Sequence, residues 1–206
     1  MPLRLVQHPL ASHLLTQLRD KATPPEHFRR LCHSLTTIVA LEAPRAMKTA
    51  ALSVKTPLEQ TSGSCLAEGL AVVPVLRAGL GMLEPVVSLF PDAAVGYIGL
   101  ERDDRTAIAS SYYCKLPQLR GRLSLCIDPM LATGGTACQA LALLKDHGAE
   151  RIVMLCVVAA PAGVERLQRE HPEIDVVCAA VDRGLNDKCY ILPGLGDFGD
   201  RLYGTV

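Results

Sequence analysis

The stretch RLSLCIDPMLATGGTACQALALLKDHG, residues 122–148, changes its pattern twice. Its first part, 122–128, is an apolar run that ends on Asp128 and predicts a buried strand. Its last part, 135–148, has apolar residues at helical spacing and predicts a helix. A short turn of small residues joins the two, as is typical of a parallel strand that leads into a helix. The stretch therefore predicts an α/β sheet with Asp128 at the carboxyl end of a strand.

The same alternation extends to both sides of this unit. Apolar runs and helical spacing predict further strands at 70–76, 93–100, 151–160 and 174–182, with helices at 79–90 and 162–171. Strands that alternate with helices across short connections favour a mostly parallel central sheet flanked by helices. A chain of 206 residues suits a single domain, residues 1–206.

The N-terminal part of this domain, residues 1–43, is predicted to be helical. Thr23-Pro-Pro-Glu26 has the form of a capping box with proline at the first helical position. Pro44 ends the helix that follows, because proline disfavours helical backbone in the residue before it. Residues 44–66 mix polar and β-branched residues and predict a hairpin or an irregular cover outside the main sheet.

Two further segments depart from the alternation. Residues 102–121 are polar and lack a strong period, which predicts a protruding hairpin or a mobile flap. The C-terminal tail, residues 186–206, is rich in glycine, which predicts an irregular segment rather than a helix. Its aromatic residues argue against disorder.

Composition excludes several classes of protein. The formal net charge is +0, which argues against a broad basic surface for nucleic acid or an anionic membrane. No apolar stretch reaches the roughly 18 residues of a membrane span, and the N-terminus lacks the pattern of a signal peptide. The eight cysteines contain no C-x-x-C pair, which favours reduced thiols over a zinc site or disulfides. We therefore expect a soluble cytoplasmic protein.

The turn after Asp128 has the residues of an anion site. Ala132-Thr-Gly-Gly-Thr136 can form a cup of backbone N–H groups, and the N-terminus of the following helix adds its dipole. A glycine-containing turn between strand and helix is also common in α/β proteins without any ligand. The acid at the strand end together with T-G-G-T favours a phosphate site.

These residues resemble a known family. Residues 125–136 are similar to the loop that binds phosphoribosyl diphosphate (PRPP) in the type I phosphoribosyltransferases, and Pro129 after the acid resembles the uracil-specific members. The segments VVPVLRAGLGM (72–82) and YILPGLGDFGDRLYGT (190–205) resemble the other signatures of that family. The resemblance implies a transferase of the pentosyl class that makes UMP and diphosphate from PRPP and uracil, as in pyrimidine salvage.

The resemblance assigns the PRPP site to three parts of the chain. Asp128 accepts hydrogen bonds from the ribose hydroxyls, and Arg77 binds the diphosphate; these two are the expected catalytic residues. The loop around the phosphate consists of Pro129, Met130, Leu131, Ala132, Thr133, Gly134, Gly135 and Thr136. Arg102, at the start of the flap, also reaches PRPP, although Arg105 lies only three residues further and is the alternative.

The resemblance assigns the base to the tail. Uracil contacts fall on Ile191, Gly196, Asp197 and Phe198, and Asp197 also lies near PRPP and its metal. Uracil presents an N–H donor between two carbonyl acceptors, so main-chain groups suit it, whereas cytosine reverses part of this pattern. Mg²⁺ is expected to arrive with PRPP rather than on direct protein ligands. The peptide bond between Arg77 and Ala78 is expected to be cis.

Several alternatives remain open at this stage. The chain could transfer phosphoribosyl to another base, or bind PRPP or UMP without catalysis as a regulator. A dehydrogenase is a more distant alternative, since 194–199 matches G-x-G-x-x-G but lies too close to the C-terminus for the dinucleotide-binding unit. Asp103 and Asp104 could be read as a metal pair, but adjacent acids in a polar segment are more often solvated. A homodimer or larger assembly and a GTP effector are expectations of the same resemblance.

Overall fold

The structure, a computed structural model, describes residues 3–102 and 109–205. The strands, in chain order, are β1 (Leu3–Leu5), β2 (Thr49–Lys55), β3 (Gln60–Leu66), β4 (Gly69–Leu76), β5 (Ala94–Val95), β6 (Tyr97–Arg102), β7 (Ala109–Lys115), β8 (Arg122–Ile127), β9 (Met130–Leu131), β10 (Arg151–Ala159), β11 (Asp175–Val181), β12 (Gly184–Leu185) and β13 (Ile191–Leu192). The α-helices are α1 (Pro9–Arg19), α2 (Pro25–Glu42), α3 (Leu80–Leu89), α4 (Gly135–Asp146), α5 (Pro161–Glu170) and α6 (Phe198–Tyr203).

Within the described residues the main sheet has nine strands, ordered β1-β11-β10-β8-β4-β6-β7, with β5 paired to β4 and β9 paired to β10. All of these pairs are parallel except that of β6 with β7. The predicted fold class, a mostly parallel α/β sheet flanked by helices, is therefore confirmed. The central strands are buried almost throughout, as parallel strands covered on both faces must be.

Two apolar layers hold the helices on the sheet. Helices α1 and α2 pack on one face through a cluster that includes Leu18, Phe28 and Leu35, none of which is exposed. Helices α4 and α5 pack on the other face through a second cluster that includes Leu141 and Leu167. Burial of large apolar side chains on both faces fixes the sheet edges in place and so fixes the loops that leave them.

The predicted strands and helices of the α/β region all occur, within a few residues of their expected bounds. The expected strand at 93–100 is present as β5 and β6, which separate at Gly96. Strand β1 was not predicted, because three residues are too short to show a period; it pairs with β11 at the sheet edge. Residues 44–66 contain the predicted hairpin, in which β2 and β3 pair with each other and not with the main sheet.

Two local predictions are wrong. Thr23 does not cap α2: Pro24 occupies the cap position, and the Thr23 hydroxyl donates instead to the carbonyl of Gln17 at 2.7 Å. The tail is not free of helix, since it contains α6. Gly194 and Gly196 precede α6, Gly199 lies in its first turn, and Gly204 adopts φ 71° as its C-terminal cap, so the glycines of this segment do not prevent the helix.

The flap predicted at 102–121 begins as an antiparallel pair of β6 and β7. Asp103, Asp104 and Arg105 lie outside the described residues. Arg102 is the last residue of β6. No helix in the described ranges is long and apolar enough to cross a membrane.

Candidate functional site

The carboxyl ends of the parallel strands define one edge of the sheet, and the candidate site lies on this edge. Strand β8 runs beside β4, and their register pairs Pro74 with Ile127. Asp128 follows Ile127 directly, and Arg77 follows the end of β4. The two residues predicted to be catalytic therefore leave neighbouring strands at the same edge of the sheet.

Asp128 is held at the point where β8 gives way to the loop. Its backbone N–H donates to the carbonyl of Leu155 in β10 at 3.1 Å, and its carboxylate accepts from the N–H of Met130 at 3.4 Å. Burial raises the pKa of the Asp128 carboxyl from 3.8 to about 7, and the bond from Met130 opposes this shift. A carboxylate whose charge is poorly solvated has a strong tendency to accept hydrogen bonds from a bound ligand.

The loop after Asp128 leads directly into α4. Gly134, at φ 78°, occupies the cap position of this helix, a left-handed conformation that glycine adopts without strain. The N–H of Gly135 approaches the Thr133 hydroxyl at 3.5 Å. The first N–H groups of an α-helix have no partner within the helix, and those of α4 adjoin the loop at which the anion site is predicted.

The loop is braced from behind by β10 and α5. The carbonyl of Pro129 accepts from the N–H of Val157 at 2.9 Å, and that of Leu131 accepts from Ala160 at 2.8 Å. Gly163 of α5 lies so close that an added Cβ would be 2.6 Å from the carbonyl oxygen of Ala132. Gly163 was not predicted to belong to the site, because its closeness to the loop arises only when α5 is folded against it.

Arg77 lies in the turn between β4 and α3 with its side chain exposed. The cis peptide bond of this turn joins Leu76 to Arg77, so the expectation of a cis bond between Arg77 and Ala78 is wrong by one residue. The Tyr203 hydroxyl donates to the carbonyl of Arg77 at 3.0 Å, and the guanidinium lies 6.0 Å from the centre of the Tyr203 ring. The turn is thus tied to the tail through α6, a contact that sequence analysis did not anticipate.

The tail and the loop enclose a cavity of about 260 Å³. It is lined by Met130, Ala132, Lys188, Cys189, Tyr190, Ile191, Gly196, Asp197 and Phe198. The structure thus brings all four residues predicted to contact the base together with two residues of the predicted PRPP loop. Lys188, Cys189 and Tyr190 were not predicted, although their position directly before Ile191 and the positive φ of Cys189, 62°, identify a turn in the folded chain.

Phe198 and Asp197 have structural roles besides lining the cavity. The Phe198 ring is 2% exposed and packs edge-to-face on Phe28 of α2, with ring centres 5.1 Å apart. It therefore anchors α6 to the core of the domain. The Asp197 side chain caps α6 by accepting from the N–H of Asp200 at 3.0 Å.

Two arginines connect the tail to the end of α1. Arg19 forms an ion pair with Asp182, and Arg201 of α6 donates to the carbonyls of Leu18, Asp20 and Leu195. Arg201 also lies over the Phe28 ring, 4.5 Å from its centre. Except for the contact of Arg201 with Leu195, these contacts link residues more than 160 positions apart in the chain. No local pattern in the sequence signals them.

The described residues contain no group of three or more histidine, cysteine, aspartate or glutamate side chains placed to hold a metal ion. Asp128 and Asp197 supply carboxylate oxygens, the ligand type that Mg²⁺ prefers. A cation here would need most of its ligands from a bound substrate and water. This donor set fits a metal that enters with a polyphosphate.

Comparisons with known proteins agree with this arrangement. Residues 5–205 match the family described as uracil phosphoribosyltransferase. A uracil phosphoribosyltransferase of Campylobacter fetus is 46% identical over 205 residues, which covers 99% of this chain and 98% of that protein. One from Symbiobacterium thermophilum is 47% identical over 203 residues, which covers 98% and 97%.

Solved structures show the same relationship. A protein from Aquifex aeolicus superposes with a TM-score of 0.93 at 36% identity, and the match covers 98% of each chain. A hypoxanthine-guanine phosphoribosyltransferase from Bacillus anthracis has a TM-score of 0.51 at 9% identity, covering 75% of this chain and 79% of that one. The second likeness shows the fold alone.

The fold, in which an acid and a glycine-containing turn lie at the carboxyl edge of a parallel sheet, is that of the type I phosphoribosyltransferases. The match along nearly the whole chain narrows this class further. The chain belongs to the uracil phosphoribosyltransferase family.

Proposed function

We propose that the protein transfers the phosphoribosyl group of PRPP to N1 of uracil and releases diphosphate, so that the product is UMP. The observation that supports this most directly is the cavity between tail and loop. Residues of the tail line it together with Met130 and Ala132 of the loop, which supports a base held by the tail beside a sugar held by the loop. The family named uracil phosphoribosyltransferase supplies the identity of the base.

PRPP binds through groups that the fold already orients. The N–H groups from Ala132 to Thr136 and the N-terminus of α4 hold the 5-phosphate. The carboxylate of Asp128 accepts hydrogen bonds from the ribose hydroxyls, and Arg77 binds the diphosphate. A neutral chain can hold this anion because its N–H groups and arginines are concentrated at one edge of the sheet.

In the reaction, the bond from ribose C1 to the diphosphate oxygen breaks and the bond from uracil N1 to C1 forms. The electron pair of the broken bond leaves with diphosphate, and the proton of N1 is released. Positive charge develops on the sugar, so the protein accelerates the step by stabilising the leaving diphosphate and by aligning the two reactants. We assign the first task to Arg77, and Arg102 is its proposed companion at the base of the flap.

Mg²⁺ is the proposed cofactor, and it enters as the complex with PRPP. It neutralises charge on the diphosphate when bound. Asp197, an exposed residue that lines the cavity, is the carboxylate we propose to lie near this ion. Uracil is selected by the main chain around Ile191 and Gly196, because carbonyl and N–H groups can match its alternating acceptors and donor. Cytosine leaves some of these groups unpaired and is rejected.

The test is diphosphate release and UMP formation from PRPP and Mg²⁺ with uracil, cytosine, hypoxanthine or orotate as the base. The proposal predicts product with uracil alone. Preference for another base would reassign the substrate, and PRPP binding without product from any base would favour a regulatory binding protein. Parallel reactions with GTP test whether the effector that the family resemblance implies acts on this chain.

Two further properties form part of the proposal. A homodimer or larger homo-oligomer is supported by the β2–β3 hairpin, whose strands are exposed and carry the exposed apolar residues Leu52, Val54 and Leu66. Light scattering at micromolar protein concentration measures the mass of the particle in solution and so tests the oligomeric state. A cytoplasmic location is supported by the eight cysteines, all of which are free thiols and five of which are buried.

A further inference from the structure

The base-binding part of the tail has little regular structure of its own. Between the two-residue strand β13 and α6, residues 193–197 belong to neither a strand nor a helix. Their N–H and C=O groups therefore lack a ladder that would hold them at fixed positions. Recognition of a base through main-chain groups needs those positions fixed to a fraction of an ångström. Another part of the molecule must supply this constraint.

A buried ion pair supplies it. Arg19, the last residue of α1, contacts both carboxylate oxygens of Asp182, with Nη1–Oδ2 at 2.7 Å and Nη2–Oδ1 at 2.6 Å. The Asp182 side chain is 5% exposed and that of Arg19 is 25% exposed. Paired, nearly parallel contacts of this kind fix the relative orientation of the two groups as well as their distance.

The same pair holds both main-chain groups of Gly194. The N–H of Gly194 donates to Asp182 Oδ2 at 2.8 Å, and its carbonyl accepts from Arg19 Nη1 at 2.7 Å. Gly194 lies in a left-handed conformation with φ 58°, and an added Cβ would be 2.1 Å from the carbonyl oxygen of Ile191. The turn that follows Ile191 is thus folded tightly against the ion pair.

The ion pair is itself anchored to the sheet. Asp182 directly follows β11, and its N–H donates to the carbonyl of Ala159 in β10 at 2.8 Å. The Arg19 side chain therefore connects the carboxyl edge of the sheet, where PRPP is expected to bind, to the turn that carries the base contacts. The tail is held at its other end by Arg201, which reaches the carbonyls of Leu195 and Asp20 at 2.8 Å and 2.6 Å.

We propose that Arg19 and Asp182 are positioning residues for the base: their ion pair holds Gly194 so that the main chain from Ile191 to Phe198 keeps the donor and acceptor arrangement that uracil requires. The proposal rests on uracil as the substrate of this cavity. In this proposal the end of α1 helps to position the base site, although neither the Arg19 nor the Asp182 side chain needs to touch the base.

The opposite end of β11 offers a matched control. Asp175, its first residue, pairs with Arg4 at 3.2 Å, and both side chains are 26% exposed. This pair also joins β11 to the N-terminal segment, but it lies at the amino end of the strand, away from the cavity. Asp175→Asn and Asp182→Asn are therefore the same change at the two ends of one strand.

The experiment measures kcat, both KM values and the melting temperature for the wild type and the two variants. For Asp182→Asn we expect KM for uracil to rise by about tenfold or more, the size of a lost hydrogen bond to a charged group, and KM for PRPP to stay within about twofold. The ratio of kcat/KM for uracil to that for cytosine should fall as well. For Asp175→Asn we expect both KM values to stay within about twofold.

Arg19→Lys keeps the charge but loses the paired geometry, and it carries the same test if Asp182→Asn does not fold. A rise in both KM values together, or a lower melting temperature with both KM values unchanged, would overturn the proposal, because either result describes a structural role alone. Failure of the wild type to form UMP from uracil would instead contradict the proposed function, so the two failures are distinguishable.

Discussion

The two halves of the site are built in different ways. The side that we propose for PRPP, from Asp128 to Thr136, is continuous in sequence and lies between a buried strand and a helix, with further hydrogen bonds from β10. The side that we propose for the base, from Lys188 to Phe198, has only the two-residue strand β13 before α6 begins and is held by Arg19 and Arg201. The first is fixed by secondary structure and the second by side chains from distant elements.

This difference suits the two ligands. A phosphate can be held by a helix N-terminus and a strand end, which every α/β protein possesses, so only a short loop must be specialised. A flat base needs donors and acceptors along one edge, which a glycine-rich segment supplies only after other groups have ordered it. We therefore expect substitutions on the PRPP side to act on chemistry, and substitutions on the base side to act on binding.

The largest expected effect is at Asp128. Asp128→Asn keeps the size of the side chain but removes the charge that we propose to accept hydrogen bonds from the ribose hydroxyls, so turnover should fall by about 100-fold or more with the fold retained. Steady-state UMP formation measures the turnover, and circular dichroism measures whether the fold is retained. Asp146→Asn, at the exposed end of α4, is the matched control and should leave turnover unchanged. Turnover within about threefold of the wild type in Asp128→Asn would show that the carboxylate is not part of the chemistry.

The raised pKa of Asp128 predicts a pH profile. The carboxylate form is the one that accepts hydrogen bonds, so kcat/KM for PRPP should fall below a pKa of about 7, by about tenfold for each further pH unit. PRPP phosphates titrate nearby, and the profile of Asp128→Asn isolates the part that belongs to the substrate. Identical profiles for the two proteins would remove Asp128 as the titrating group.

The same group predicts a change in stability without substrate. The folded pKa is about 7 and the unfolded one about 4, so the folded state binds the extra proton between these values and stability falls as pH rises through that window. Asp128→Asn lacks this cost. Its melting temperature should therefore exceed that of the wild type at pH 8, and the difference should shrink toward pH 4. A variant that melts below the wild type at pH 8 would contradict the burial of the charge.

The half of the site that is fixed by secondary structure can be predicted from the sequence, whereas the half that is fixed by distant side chains cannot. Strands and helices with a clear period, such as β8 and α4, are predicted because the period records which face is buried. Asp128 and the glycine turn are predicted because they lie within one such unit. The Arg19–Asp182 pair is not, since nothing local distinguishes an arginine that reaches across the fold from one in solvent. The helix α6 was missed because glycine content alone does not show that only Gly199 of the four glycines in the tail lies inside the helix.

Gly163 tests whether the PRPP side depends on close packing as well as on hydrogen bonds. A Cβ there would lie 2.6 Å from the Ala132 oxygen, so Gly163→Ala must displace the loop or the start of α5. We expect KM for PRPP to rise by about tenfold, because misplaced phosphate donors are costly, with a smaller change in KM for uracil. Gly184→Ala is the control, since an added Cβ there meets nothing within 4 Å. If KM for PRPP is the same in Gly163→Ala as in Gly184→Ala, the loop accommodates the added Cβ without loss of PRPP binding.

The smallest expected effect is at Tyr203, where the two halves touch. Tyr203→Phe removes the hydroxyl that donates to the Arg77 carbonyl at 3.0 Å but keeps the ring beside the guanidinium. The bond is exposed, so its loss should cost about 0.5–1 kcal/mol, which corresponds to about a two- to fivefold rise in KM for PRPP. Tyr203→Leu also removes the ring and should raise this KM further. If either variant instead raises KM for uracil alone, α6 serves only the base side, and the division between the halves is complete.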